Sequence, residues 1–128
     1  MPLVRIDISN HSDKGLESQI GDLVYAAMLE SLNVPEDDKF QILTRHSVSQ
    51  IVRPESYLGI NYTDQLVIVQ ITLNKGRTTD VKKFFYAKLA DLLNSKLNIR
   101  KEDILISLVE VNKENWSFGN GEMQYGPQ

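Results

Sequence analysis

Apolar positions open the chain with a short run rich in Val and Ile, Leu3 to Ile8, which predicts a strand. His11-Ser12-Asp13 then offers N-cap chemistry. Leu16, Ile20, Leu23, Val24, Ala27 and Leu32 follow at helical spacing, and Asn33 and Pro35 end that helix. Lys39 to Thr44 predicts a second strand. Arg45 to Thr63 is irregular, punctuated by Pro54 and Gly59.

The same order then returns. Leu66 to Leu73 predicts a strand, and Gly76 to Asp80 a turn and N-cap. Val81, Phe85, Leu89, Leu92 and Leu93 form a helical stripe that Asn98 ends, and Ile104 to Val111 is another strand. A shift of 65 residues superimposes the halves without a gap. Leu3 falls on Ile68, Leu16 on Val81, Leu32 on Leu97, Asn33 on Asn98 and Asp38 on Asp103. The shared ending Asn-apolar-x-x-x-Asp favours a duplication, residues 2–44 and 66–111, over the periodicity common to any two βαβ units. Right-handed crossovers make the strands of each unit parallel. The expected fold is therefore α+β, one domain spanning 1–128: two fused βαβ units in a four-stranded sheet, with both helices on one face. The other face needs a cover, which self-association would supply. The tail, 112–128, carries Trp116, Phe118, Met123 and Tyr125 among glycines and reads as a hairpin or an arm that lines a pocket or grips a neighbour.

Composition removes most of the usual chemistry. The chain has 128 residues, no cysteine and two histidines, His11 and His46. Disulfides, thiolate metal sites and cysteine nucleophiles are excluded, and a metal centre is not expected. The net charge of -3 lacks the basic footprint of a nucleic-acid binder. No apolar segment is long enough to span a bilayer, and Arg5 and Asp7 interrupt any signal-like start. A cytoplasmic location is expected.

Position 2 carries the most chemistry. Removal of an initiator Met before a small residue would leave Pro2 as a free secondary amine at the start of the first strand. An unperturbed α-amino group titrates at about 8. Apolar surroundings or a nearby cation would lower that value and make a general base; a nearby carboxylate would keep the amine protonated, as a general acid.

Pro2-Leu3-Val4-Arg5-Ile6-Asp7, Gly76-Arg77-Thr78 after a strand, and the βαβ repeat together resemble the tautomerase superfamily, which includes 4-oxalocrotonate tautomerase and macrophage migration inhibitory factor. Glu114-Asn115-Trp116-Ser117-Phe118-Gly119 and Val34-Pro35-Glu36-Asp37-Asp38 resemble the malonate semialdehyde decarboxylase-like branch. The resemblance spans the chain. It implies a homotrimer with Pro2 as the catalytic group, Asp38 assisting proton transfer or activating water, and Arg77 binding the substrate carboxylate. A guanidinium at a helix start suits an anion, although a solvated cap charge would look the same. Trp116 and Phe118 match aromatics that wall the pocket, a role that core or trimer packing could equally explain.

The chain departs from that branch where two arginines end the third strand: here the stretch is Leu73-Asn74-Lys75-Gly76, with Asn74 able to hydrogen-bond a substrate oxygen. The expected activity is accordingly cofactor-independent keto-enol tautomerisation of a small 2-oxo acid or its enol. Two alternatives remain: a decarboxylase or hydratase with protonated Pro2, and a catalytically silent trimeric binding module. Arg45, His46 and Arg53 read as exposed charge or as contributors to a pocket across a subunit boundary.

Overall fold

The computed structural model describes residues 2–10 and 13–126. Strand β1 (Leu3–Ser9) leads to helix α1 (Leu16–Ser31) and strand β2 (Phe40–His46). A small hairpin, β3 (Ser56–Tyr57) and β4 (Ile60–Asn61), precedes β5 (Val67–Asn74), α2 (Thr79–Leu97) and β6 (Ile104–Val111). The main sheet runs β2-β1-β5-β6. β1 is parallel to β2 and β5 to β6, whereas the central pair β1–β5 is antiparallel. The fold is the expected α+β arrangement of two βαβ units.

The pairing is symmetric about its centre. Arg5 faces Gln70, and these are residues that the 65-residue shift superimposes. Leu3 pairs with Phe40 and Val67 with Ile104, so both parallel pairings have the same sequence separation. The 3-10 turns after each unit, Val48–Gln50 and Lys113–Asn115, correspond under the same shift.

Strand alternation divides the sheet into two faces. Val4, Ile6 and Ile8 of β1 and Val67, Val69, Ile71 and Leu73 of β5 point to the helices and are buried. Ile20, Val24, Ala27 and Met28 of α1 meet them, with Phe85, Leu89 and Leu93 of α2. The opposite face is open and partly apolar: Phe40, Ile42, Leu105 and Val109 are exposed there.

Local chemistry sets the helix ends, with one correction. The α2 N-cap is Thr78, whose hydroxyl accepts from the Val81 N–H at 3.2 Å. At α1 the expected cap at Asp13 does not form; His11 and Ser12 lie outside the described residues. The helix starts instead at Gly15, whose φ of 81° disfavours a side chain. Asn33 and Asn98 both stop their helices in the left-handed conformation, at φ 54° and 55°. The segment 45–63 is more ordered than its composition implies, since it contains the end of β2, a 3-10 turn and the β3–β4 hairpin. The tail takes the form of an arm: no strand forms among its described residues.

Candidate active site

The candidate residues come from five separate segments, and the sheet register brings them to one edge. Pro2 is buried and precedes β1. Because Leu3 pairs antiparallel with Thr72, continuing the register sets Pro2 level with Leu73, beside Asn74. Leu3 also pairs with Phe40, so the chain entering β2, with the buried Asp38, reaches the same edge. The turn after β5 carries Arg77, and the arm after β6 carries Trp116 and Phe118.

Asn74 is the hub that hydrogen bonds define. Its backbone carbonyl accepts from Arg77 Nη1 at 2.9 Å, and its side-chain Oδ1 accepts from Trp116 Nε1 at 2.7 Å. Arg77 also donates to the Leu32 carbonyl from Nε at 3.2 Å and from Nη2 at 2.9 Å. A guanidinium has five N–H groups. Three make these bonds, tying the end of α1 to the end of β5, and the other two have no partner among the described residues, which would suit an anion. Arg77 thus lines a cleft of about 400 Å³ with Leu32, Asn33, Gly76 and Val81. The arm closes on itself: Trp116 stacks on Phe118 at 5.3 Å between centroids, and Tyr125 meets Phe118 edge-on at 5.1 Å. Gln124 accepts from the Phe118 N–H and donates to the Gly119 carbonyl.

A second cleft, of about 520 Å³, lies at the opposite end of the sheet between the start of α1 and the end of α2. Its Leu16, Leu97 and Asn98 occupy the positions related by the shift to Val81, Leu32 and Asn33. The counterpart of Pro2 there is Val67, whose nitrogen is an amide within the chain. The counterpart of Asp38 is the fully buried Asp103. Asp103 accepts from the Thr63 N–H at 2.8 Å, the Thr63 hydroxyl at 2.5 Å and Arg100 Nη1 at 3.0 Å, and so holds the chain that enters β5.

Arg45, His46 and Arg53 are engaged within the chain. Arg45 pairs with Glu17, His46 Nε2 lies 2.6 Å from Asp7 Oδ1 on the open sheet face, and Arg53 donates to Asp64 at 2.8 Å.

Glu110, which the sequence pattern did not single out, borders the site. The hydrogen bond from Lys82, at 2.6 Å, holds its carboxyl below the ordinary value of 4.5; desolvation opposes this, and the Lys82 charge, the Gly76 N–H and the Arg77 charge add to it. A lowered value stabilises the fold above the unfolded titration range, and that contribution disappears as pH falls through the lowered value. Glu110→Gln is therefore expected to cost a little stability at neutral pH and nothing in strong acid. Thermal melts across pH 2–7 check this; a constant difference between the two proteins would contradict it.

The profile of the tautomerase enzyme family matches residues 38–119. "Probable tautomerase YusQ" of Bacillus subtilis (strain 168) is 36% identical, over 97% of this chain and 98% of its own length. Among solved structures, FG41 malonate semialdehyde decarboxylase inhibited by 3-bromopropiolate superposes with a TM-score of 0.87 at 32% identity, covering 96% of this chain and 93% of that one. A fused 4-OT symmetric trimer shares the fold, with a TM-score of 0.75 at 17% identity over 94% of each chain. The fold is thus that of a tautomerase-type enzyme. The chain belongs to the tautomerase superfamily, on its malonate semialdehyde decarboxylase-like branch.

Proposed function

We propose that the chain is a cofactor-independent tautomerase in which Pro2, freed of Met1, is the general base for a small 2-oxo acid or its enol. The observation that carries this is the register, which sets the start of β1 beside the Asn74–Arg77–Trp116 cluster. Arg77 holds the substrate carboxylate with its two remaining N–H groups. Neutral Pro2 takes a proton from the carbon next to the oxo group; the C–H electron pair forms the enolate, and the proton returns at carbon or oxygen. Buried surroundings and the Arg77 charge favour the neutral amine. Asp38 assists proton transfer, and Trp116 and Phe118 wall the pocket against water. The work is placed in the cytoplasm. An amine base needs no cofactor.

A second reading has a specific observation behind it, the likeness to a malonate semialdehyde decarboxylase. There Pro2 stays protonated, Asp38 activates water, and a 3-oxo acid loses carbon dioxide. The layout also supports a duplicated unit and a homotrimer, in which the open face bearing Phe40, Ile42, Leu105 and Val109 would be covered by other copies. Incubating the chain with phenylpyruvate in heavy water tests the function. Deuterium entry at C3 without release of carbon dioxide is expected. Carbon dioxide release from malonate semialdehyde, without such exchange, would favour the decarboxylase.

A further inference from the structure

Trp116 and Asn74 form a pair whose hydrogen bond has a direction. An indole N–H can only donate. The atom 2.7 Å from it is the Asn74 amide oxygen, so the Asn74 NH2 group is turned away from the indole. Rotating the amide by half a turn would set two donors against each other. The Asn74 Nδ2 makes no hydrogen bond among the described residues, although its oxygen and its backbone carbonyl are both occupied. Asn74 is half-buried and ends β5, beside the position that the register gives Pro2. Its main chain is held from the other side by Arg77. Two separate bonds thus fix one neutral donor at the end of β5, next to the register position of Pro2, and leave that donor without a hydrogen bond among the described residues.

We propose that Asn74 donates from Nδ2 to the oxo oxygen of the substrate, and that Trp116 is the positioning residue that aims it. This deepens the tautomerase reading and rests on it. When Pro2 removes the proton, the C–H electron pair moves into the new carbon–carbon double bond and negative charge collects on the oxo oxygen. A donor already aimed at that oxygen stabilises the enolate more than the ketone, and acts on kcat rather than on binding. The division of labour is then complete: Arg77 takes the carboxylate, Asn74 the oxygen that changes charge, and Pro2 the proton.

The test separates aim from packing. Trp116→Phe keeps a ring to stack on Phe118 but has no N–H. It is expected to lower kcat about tenfold with little change in KM, the effect of a donor no longer held in place. Asn74→Asp keeps an acceptor for the indole, loses the donor and adds repulsion toward the enolate; kcat is expected to fall about 100-fold or more. In an Asn74→Ala background, Trp116→Phe is expected to cost nothing further, because its effect passes through Asn74. Equal losses in both backgrounds, or an unchanged kcat in Trp116→Phe alone, would overturn the proposal. A second arm needs neither a variant nor turnover. Pyruvate titrated into the 15N-labelled chain is expected to shift the Asn74 side-chain amide resonances, and resonances that stay in place at saturation would overturn it. If pyruvate shifts them while phenylpyruvate shows no C3 exchange, the tautomerase reading fails and the Asn74 donor stands.

Discussion

Pro2→Ala is expected to lower C3 proton exchange on phenylpyruvate at least about 100-fold, within the usual contribution of a positioned general base. Alanine at position 2 still presents an amine, but it loses the ring that fixes the nitrogen's direction where β1 begins. One residue left in front of Pro2 has a larger effect. It converts the amine to an amide, whose nitrogen has no basic lone pair, and exchange is expected to stop. Protein with Pro2 first, by mass spectrometry, is the positive control. Wild-type rates from the extended chain would remove Pro2 from the mechanism. Neither change touches the strand pairing, because the sheet contacts of β1 start at Leu3.

The second large effect is on stability and sits at the other end of the sheet. Asp103→Ala is expected to destabilise the fold by about 2–4 kcal/mol, since it removes a charged acceptor that takes three hydrogen bonds and leaves the Thr63 N–H without its partner. Chemical denaturation measures this directly. Asp38→Asn, at the position that the 65-residue shift relates to Asp103, is expected to act chiefly on turnover. The contrast follows from where each carboxylate lies. Asp103 braces a chain that continues through Thr63 into β5, whereas Asp38 lies where β1 begins with Pro2. A fold that tolerates Asp103→Ala without loss of stability would contradict this division.

The elements that bury a regular face were legible from the sequence. Ile104–Val111 is observed with the bounds that its apolar run implies, and Asn98 stops α2 as its left-handed geometry requires. The β3–β4 hairpin was not. Its strands have two residues each, and its turn uses Leu58 and Gly59 at positive φ, so neither alternation nor an Asn-Gly signal announces it. The α1 stripe begins at Leu16 as observed, but its cap was not legible, because Gly15 caps by backbone freedom and leaves no side-chain signature. Within the site, Pro2, Asp38, Arg77 and the aromatics of the arm could be chosen from residue type and family resemblance. Their connections could not. Arg77 reaches the Leu32 carbonyl, and Trp116 reaches Asn74 across some 40 residues of sequence, contacts that only the folded sheet edge creates. Glu110 was missed for the same reason: its partner Lys82 lies 28 residues earlier, near the start of α2, and only the fold brings the two together.

The central claim is that Pro2 works as a base, and the charge state of its nitrogen tests that most directly. In protein labelled with 15N proline, with Met1 removed, the Pro2 nitrogen can be followed by NMR from pH 4 to 11. The account predicts a midpoint below the ordinary α-amino value of about 8, near neutrality, so that the free amine is abundant under working conditions. A midpoint near 9 or above would leave Pro2 protonated there, contradict the general-base mechanism, and favour proton donation in a decarboxylase.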